Sequence, residues 1–170
     1  MKILRRVKLL TASPPSENQE LGGVINCDQS RSQNCKSLAK GVKPMTRVYV
    51  IHADADYLSF DRLAAQARSA KLPVDFDHMP AKQTWVPHWK GNCRNRIYRC
   101  GGAIVFLSKH TAEGGVGWEL ECAQACALPM LGLCVEGSKT PTIPEELSDW
   151  PVVDWNWPEI ERFIQTVAKG

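Results

Sequence analysis

The sequence predicts an α/β fold in which helices cover both faces of a parallel sheet. Two observations predict it. Short runs rich in β-branched and aromatic residues recur along the chain. Between them lie longer runs whose apolar residues fall at helical spacing. Strict alternation of the two implies crossover connections and parallel pairing.

The first strand is RVYVIH, from Arg47. Residues 55–71 follow as a helix, with Leu58, Leu63, Ala64, Ala67 and Ala70 near one face and Asp54 placed to cap it. Pro73 ends that helix, and PVDFDH is a second, short strand. HMPAKQTWVPHW is a loop carrying two prolines. Residues 88–99 form a helix with Trp89, Cys93 and Ile97 on one side and Arg94, Arg96 and Arg99 on a solvated side. AIVFLS is a buried third strand, followed by small loop residues and a helix over 117–127. PMLGLCVE is the fourth strand, and TIPEEL a helical stub. PVVDW is an edge strand, because a proline can only start a strand or lie on an edge. Residues 158–168 close as an amphipathic helix of Ile160, Phe163, Ile164 and Val167. Five strands and four or five helices give a flavodoxin-like, doubly wound sheet in the order 2-1-3-4-5.

A chain of 170 residues suits one domain with a sizeable core. Hydrophobic content of 44% and charged content of 23% are ordinary for a globular protein. No apolar run reaches the length that spans a bilayer. The basic start, MKILRRVKLL, lacks the apolar core of a secretory signal. The charge is uneven. Residues 1–44 hold eight Lys/Arg and three Asp/Glu, whereas 45–170 hold 13 and 15. The folded part is therefore not basic and gives no footprint for nucleic acid.

Residues 1–44, rich in Ser, Asn, Gln and Lys, are expected to form a flexible or non-domain extension, and 45–170 the domain. Either translation starts at Met45, or the extension is an arm that docks on a partner. Seven cysteines (Cys27, Cys35, Cys93, Cys100, Cys122, Cys126 and Cys134) form no C-x-x-C pair. The expectation is buried, reduced thiols in a cytoplasmic protein. The histidines lack ligand spacing to them, so no metal is expected.

In the order 2-1-3-4-5 the switch point lies between the first and third strands, where the loops after both must meet. The first loop supplies His52, Asp54, Asp56 and Tyr57. The third supplies Ser108, Lys109, His110 and Thr111, with Glu119 in the first turn of the next helix. The loop around Lys82 to Trp85 is expected to form a wall or lid. Each residue also has a structural reading. Asp54 fits a cap, His52 a polar group at a strand end, and Ser108 and Lys109 turn positions. Glu119 fits a favourable charge at a helix N-terminus, and Trp118 a core residue. No G-x-G-x-x-G, G-x-x-x-x-G-K-[ST] or G-x-S-x-G motif is present.

The segments VYVIHADAD, LAAQARSAKLPVDFDHM, HWKGNCRNRIYRCGGAIVFLSKHT and GWELECAQACALPMLGL, in this order, resemble the TIR-like family that includes the Thoeris anti-phage protein. Its members share a strand ending in Ser-His or a similar pair and a P-x-x-F-D/E strand. They also share a W-K…R…I helix, a strand ending in G/S-K-H-T and a W-E-I-E-x-A helix. The likeness covers roughly residues 46–156. It implies NAD⁺ glycohydrolase or cyclase chemistry, with NAD⁺ as substrate and no further cofactor. The glutamate that follows the family's tryptophan is Glu119, after Trp118. The resemblance also places His52, Asp54 and Trp85 against nicotinamide or ribose, Ser108 and Lys109 at phosphate or ribose oxygens, and Trp118 beside the substrate. The chain departs from many relatives at Glu113-Gly114-Gly115-Val116-Gly117, which lacks their earlier tryptophan.

The implied partners are NAD⁺ or a related nucleotide, further copies of the chain, and a nucleotide-sensing effector; nucleic acid and membrane are not implied. Two other readings stand beside the enzyme. One is a non-catalytic module of the same fold that binds proteins or nucleotides. The other is a nucleoside or nucleotide transferase of related architecture.

Overall fold

A strand buried on both faces offers water nothing, and β1 (Thr46–Ile51) is such a strand: Val48, Tyr49, Val50 and Ile51 are all buried. So is every residue of β3 (Gly102–Leu107). Two such strands at the centre of a parallel sheet need helices above and below. The computed structural model describes residues 45–79, 88–112, 115–135 and 142–170. It shows one five-stranded sheet in the order β2-β1-β3-β4-β5, with all pairs parallel. Here β2 is Val74–Asp77, β4 Met130–Cys134 and β5 Val152–Asp154. The expected flavodoxin-like order is the observed one.

The helices are α1 (Tyr57–Ser69), α2 (Trp89–Tyr98), α3 (Val116–Ala125) and α4 (Trp157–Val167). Strand alternation divides the core between two faces. Tyr49, Ile51, Ala103, Val105 and Leu107 pack against Trp89, Cys93 and Ile97 of α2 and Val116, Leu120 and Ala123 of α3. Val48, Val50, Ile104 and Phe106 pack on the other face, against Leu63 of α1 and Ile160 and Ile164 of α4. A clasp joins α1 to the segment between β5 and α4. Trp155 donates its indole N–H to Gln66 at 3.0 Å, and the Arg62 guanidinium lies 4.6 Å over the Trp155 ring.

Several local expectations change. Asp54 does not cap α1. It opens a short 3₁₀ turn, Asp54–Asp56, and the residue at the cap position is Asp56, whose side chain makes no capping bond. The tight turn uses the two residues that the helical spacing alone would have absorbed, so α1 starts at Tyr57. Arg96 is not merely solvated: it pairs with Asp77 at 2.5 Å, joining α2 to the end of β2. Trp118 is half-buried rather than core. The proposed extension 1–44 lies outside the described residues. No described helix is long and apolar enough to cross a membrane.

Gly102 shows how closely α4 sits on β3. A Cβ built there would lie 2.7 Å from Val167 Cγ2, and 3.2 Å from both Phe163 Cζ and the Pro129 carbonyl oxygen. The branched Val167 side chain cannot swing aside as a long one could. Gly102→Ala should therefore destabilise the fold by about 1–3 kcal/mol, the usual cost of overpacking. Equilibrium denaturant unfolding would measure it, and an unchanged midpoint would show that α4 shifts without cost.

Candidate functional site

The carboxyl edge of the sheet is built by the loops that leave β1 and β3. Those loops meet. Ser108, the first residue after β3, donates its hydroxyl to Asp56 Oδ2 at 2.7 Å. The Ser108 hydroxyl oxygen in turn accepts the His110 backbone N–H at 3.0 Å. The Thr111 hydroxyl accepts the Ser108 N–H at 2.8 Å and lies as close to the Ser108 carbonyl. Asp56, Ser108 and Thr111 are all buried. The turn after β3 is thus fixed from within and tied to the turn after β1. Lys109 and Asp54 face outward, exposed, on either side of this junction.

His52 ends the buried run of β1 and is 3% exposed. Alternation puts it on the α1 face, where it packs against Phe60 and Phe106. Its Nε2 lies 3.2 Å from His78 Nδ1. The His78 ring lies tilted against Phe60, with ring centroids 4.1 Å apart. Burial, and next the nearby His52, hold the His78 imidazole below its ordinary pKa.

Glu119 sits on the opposite face. It is the fourth residue of α3 and its backbone N–H bonds to the Gly115 carbonyl, so it belongs to the first turn. It is 1% exposed. The Tyr49 hydroxyl donates to Glu119 Oε1 at 3.0 Å, and the Cys93 thiol donates to the same oxygen at 3.5 Å. The phenol oxygen and the thiol sulfur are themselves 3.2 Å apart. Burial, reinforced by the Glu119 carboxylate, raises the Tyr49 pKa and pushes the Cys93 thiol up to about 12. Both groups therefore keep their protons at neutral pH and act as donors. Three elements, β1, α2 and α3, meet on one carboxylate oxygen. Tyr49 precedes His52 by three residues, about 10 Å along a strand.

Trp118 lies at the outer edge of that cluster. Its ring meets Trp89 edge-on at 5.2 Å, with Lys90 and Arg94 each 5.8 Å from its centroid. The sites named from sequence therefore fall into three groups: Ser108 beside Lys109 and Asp54, His52 with His78, and Glu119 beside Trp118. Trp85 lies outside the described residues. No group of three or more His, Cys, Asp or Glu able to hold a metal ion occurs among the described residues.

Sequence reasoning left out Tyr49, Cys93 and His78. The strand period offered a signal for the first, since Tyr49 must share a face with Ile51 and hence with the helices of that side. Nothing local signals that Tyr49 reaches a carboxylate 70 positions away.

No family model matches the sequence, and no curated protein matches it. Among solved structures the chain is similar to a conserved protein from Enterococcus faecalis V583. The TM-score is 0.56 at 14% identity, over 72% of this chain and 99% of that one. It is also similar to a prokaryotic SEFIR domain, with a TM-score of 0.45 at 15% identity, over 73% of this chain and 96% of that one. The first likeness shows the fold; the second is too distant to add to it.

Tyr49→Phe removes the 3.0 Å hydrogen bond to Glu119 Oε1 while keeping the ring. Stability should fall by about 1–3 kcal/mol, the cost of a lost bond to a charged, desolvated group. Denaturant unfolding with an unchanged slope is the check. No loss would mean that the remaining partners of Glu119 satisfy the carboxylate.

Proposed function

We propose that this chain is a TIR-like protein that cleaves the nicotinamide–ribose bond of NAD⁺, as glycohydrolase or cyclase, and signals in anti-phage defence. One observation carries the reading. A glutamate directly after a tryptophan stands in the first turn of the helix that follows the third strand, the place that the sequence resemblance assigns to the catalytic carboxylate.

The chemistry suits a lone carboxylate. As the bond to nicotinamide breaks, its electron pair returns to the pyridinium nitrogen, and nicotinamide leaves neutral. No proton donor is required at the leaving group. Positive charge grows on the ribose as an oxocarbenium ion, and Glu119 would stabilise it electrostatically. Water then yields ADP-ribose, whereas an atom of the same molecule yields a cyclic isomer. In this reading His52, Asp54 and Trp85 contact nicotinamide or ribose, Ser108 and Lys109 the phosphate or ribose oxygens, and Trp118 the substrate beside Glu119. The protein is cytoplasmic in this reading, and its partners are further copies of itself and a nucleotide-sensing effector.

A second reading has its own support. At 1% exposure, with Tyr49 and Cys93 bonded to one oxygen, Glu119 is equally suited to tie β1, α2 and α3 together. The chain would then be a non-catalytic module of this fold that binds proteins or nucleotides.

Nicotinamide release from NAD⁺ at high protein concentration separates the two. Wild type should release it, and Glu119→Gln should lose about a hundredfold or more of the rate, as loss of a transition-state charge partner does. The mass of the second product distinguishes hydrolysis from cyclisation. No release from folded wild type, or release that survives the substitution, would overturn the enzyme or its assigned residue respectively.

A further inference from the structure

We propose that His52 and His78 form a proton-gated latch across the ends of β1 and β2, and that this latch sets the geometry of the turn after β1. The argument starts from which atoms can hold protons. His52 Nδ1 lies 2.8 Å from the Ala53 carbonyl oxygen. A carbonyl only accepts, so Nδ1 carries the hydrogen. In a neutral ring Nε2 is then an acceptor, and His78 Nδ1, 3.2 Å away, must donate to it. This arrangement satisfies both contacts of the neutral His52 ring.

A first added proton can rest on His78 Nε2 and leave that hydrogen bond intact. A second has no such place. It would set N–H against N–H at 3.2 Å, between two cations, with one ring packed on Phe60 and Phe106. The bond must then break. The pair thus titrates as one coupled unit.

The charged groups around His78 pull in both directions. Burial and His52 disfavour charge on His78, as does Arg96 of α2, while Asp77 of β2 and Asp61 of α1 favour it. Tyr57 of α1 contributes a ring. Asp77 is already paired with Arg96. Because the folded-state value of His78 lies below 6.5, its contribution to stability is present above that pH. It is lost as pH falls through the folded value.

The latch also reaches the switch point. The Ala53 carbonyl that receives the His52 proton also accepts the Asp56 N–H at 2.9 Å, and the Asp56 carboxylate holds Ser108. An unbroken hydrogen-bonded run therefore joins His78, His52, Ala53, Asp56, Ser108 and the His110 amide across the ends of β2, β1 and β3.

The chain has four histidines. In the full chain carrying His88→Asn and His110→Gln, only the pair titrates as imidazole. Asparagine tolerates the left-handed backbone at position 88 (φ 67°). Ring-nitrogen and amide NMR signals would be followed from about pH 8 to about pH 4.5, the range of imidazole titration. His52 should keep its Nδ1–H form while His78 takes the first proton below 6.5. With the second proton, the amides of Asp56 and Ser108 should shift together. His78→Gln should abolish that shared shift. Two independent midpoints, each unaffected by replacing the other ring, would overturn the proposal, as would stationary Asp56 and Ser108 amides. Melting temperatures of wild type and His78→Gln provide a second measure. Wild type should lose more stability on acidification; equal losses would also overturn it.

Discussion

All of β3, and β1 from Val48 on, have no face left for water, and the rest of the molecule follows from that. Helices must cover both sides, so the chain crosses over between strands. Parallel pairing of β1 with β3 brings their carboxyl ends together at one edge. Any polar side chain that points inward from these strands must find its partner within the protein. Tyr49 does so with Glu119 and Cys93 on one face, and His52 with His78 on the other. The polar chemistry of the carboxyl edge is thus a product of complete burial, not an addition to it.

The edge consequently has two separate polar clusters with the Asp56–Ser108 bond at the seam between the two loops. One cluster holds a carboxylate between two groups that stay protonated at neutral pH. The other holds two imidazoles whose hydrogens are ordered by a carbonyl.

Much of the fold was legible because it rests on period and punctuation. RVYVIH read as the first strand and AIVFLS as a buried third strand, and Pro151 marked the edge strand that pairs with β4. Helix starts were less legible. None of the four helices has a side-chain cap, so nothing in the sequence distinguished Asp54 from Asp56 as the point of entry. The candidate site was legible one loop at a time. The meeting of the first and third loops followed from strand order. The pairing of His52 with His78 did not, because β2 is short and its last residues carry no pattern that fixes where a side chain points. The separation of His52 from Glu119 was present in the odd and even positions of β1, but it needed the helix faces to be read.

The clasp between α1 and Trp155 has a consequence for how the protein comes to exist. Gln66 and Trp155 are 89 positions apart, and Ile160 and Ile164 complete the same side of the sheet. On a ribosome, β1, α1 and β3 emerge long before Ile160 and Ile164, which complete the cover of Val50, Ile104 and Phe106. During that interval α1, through Leu63, gives that side of the sheet only part of its cover. Contacts of such long separation also close slowly. That face of the core is therefore completed only once α4 has been made.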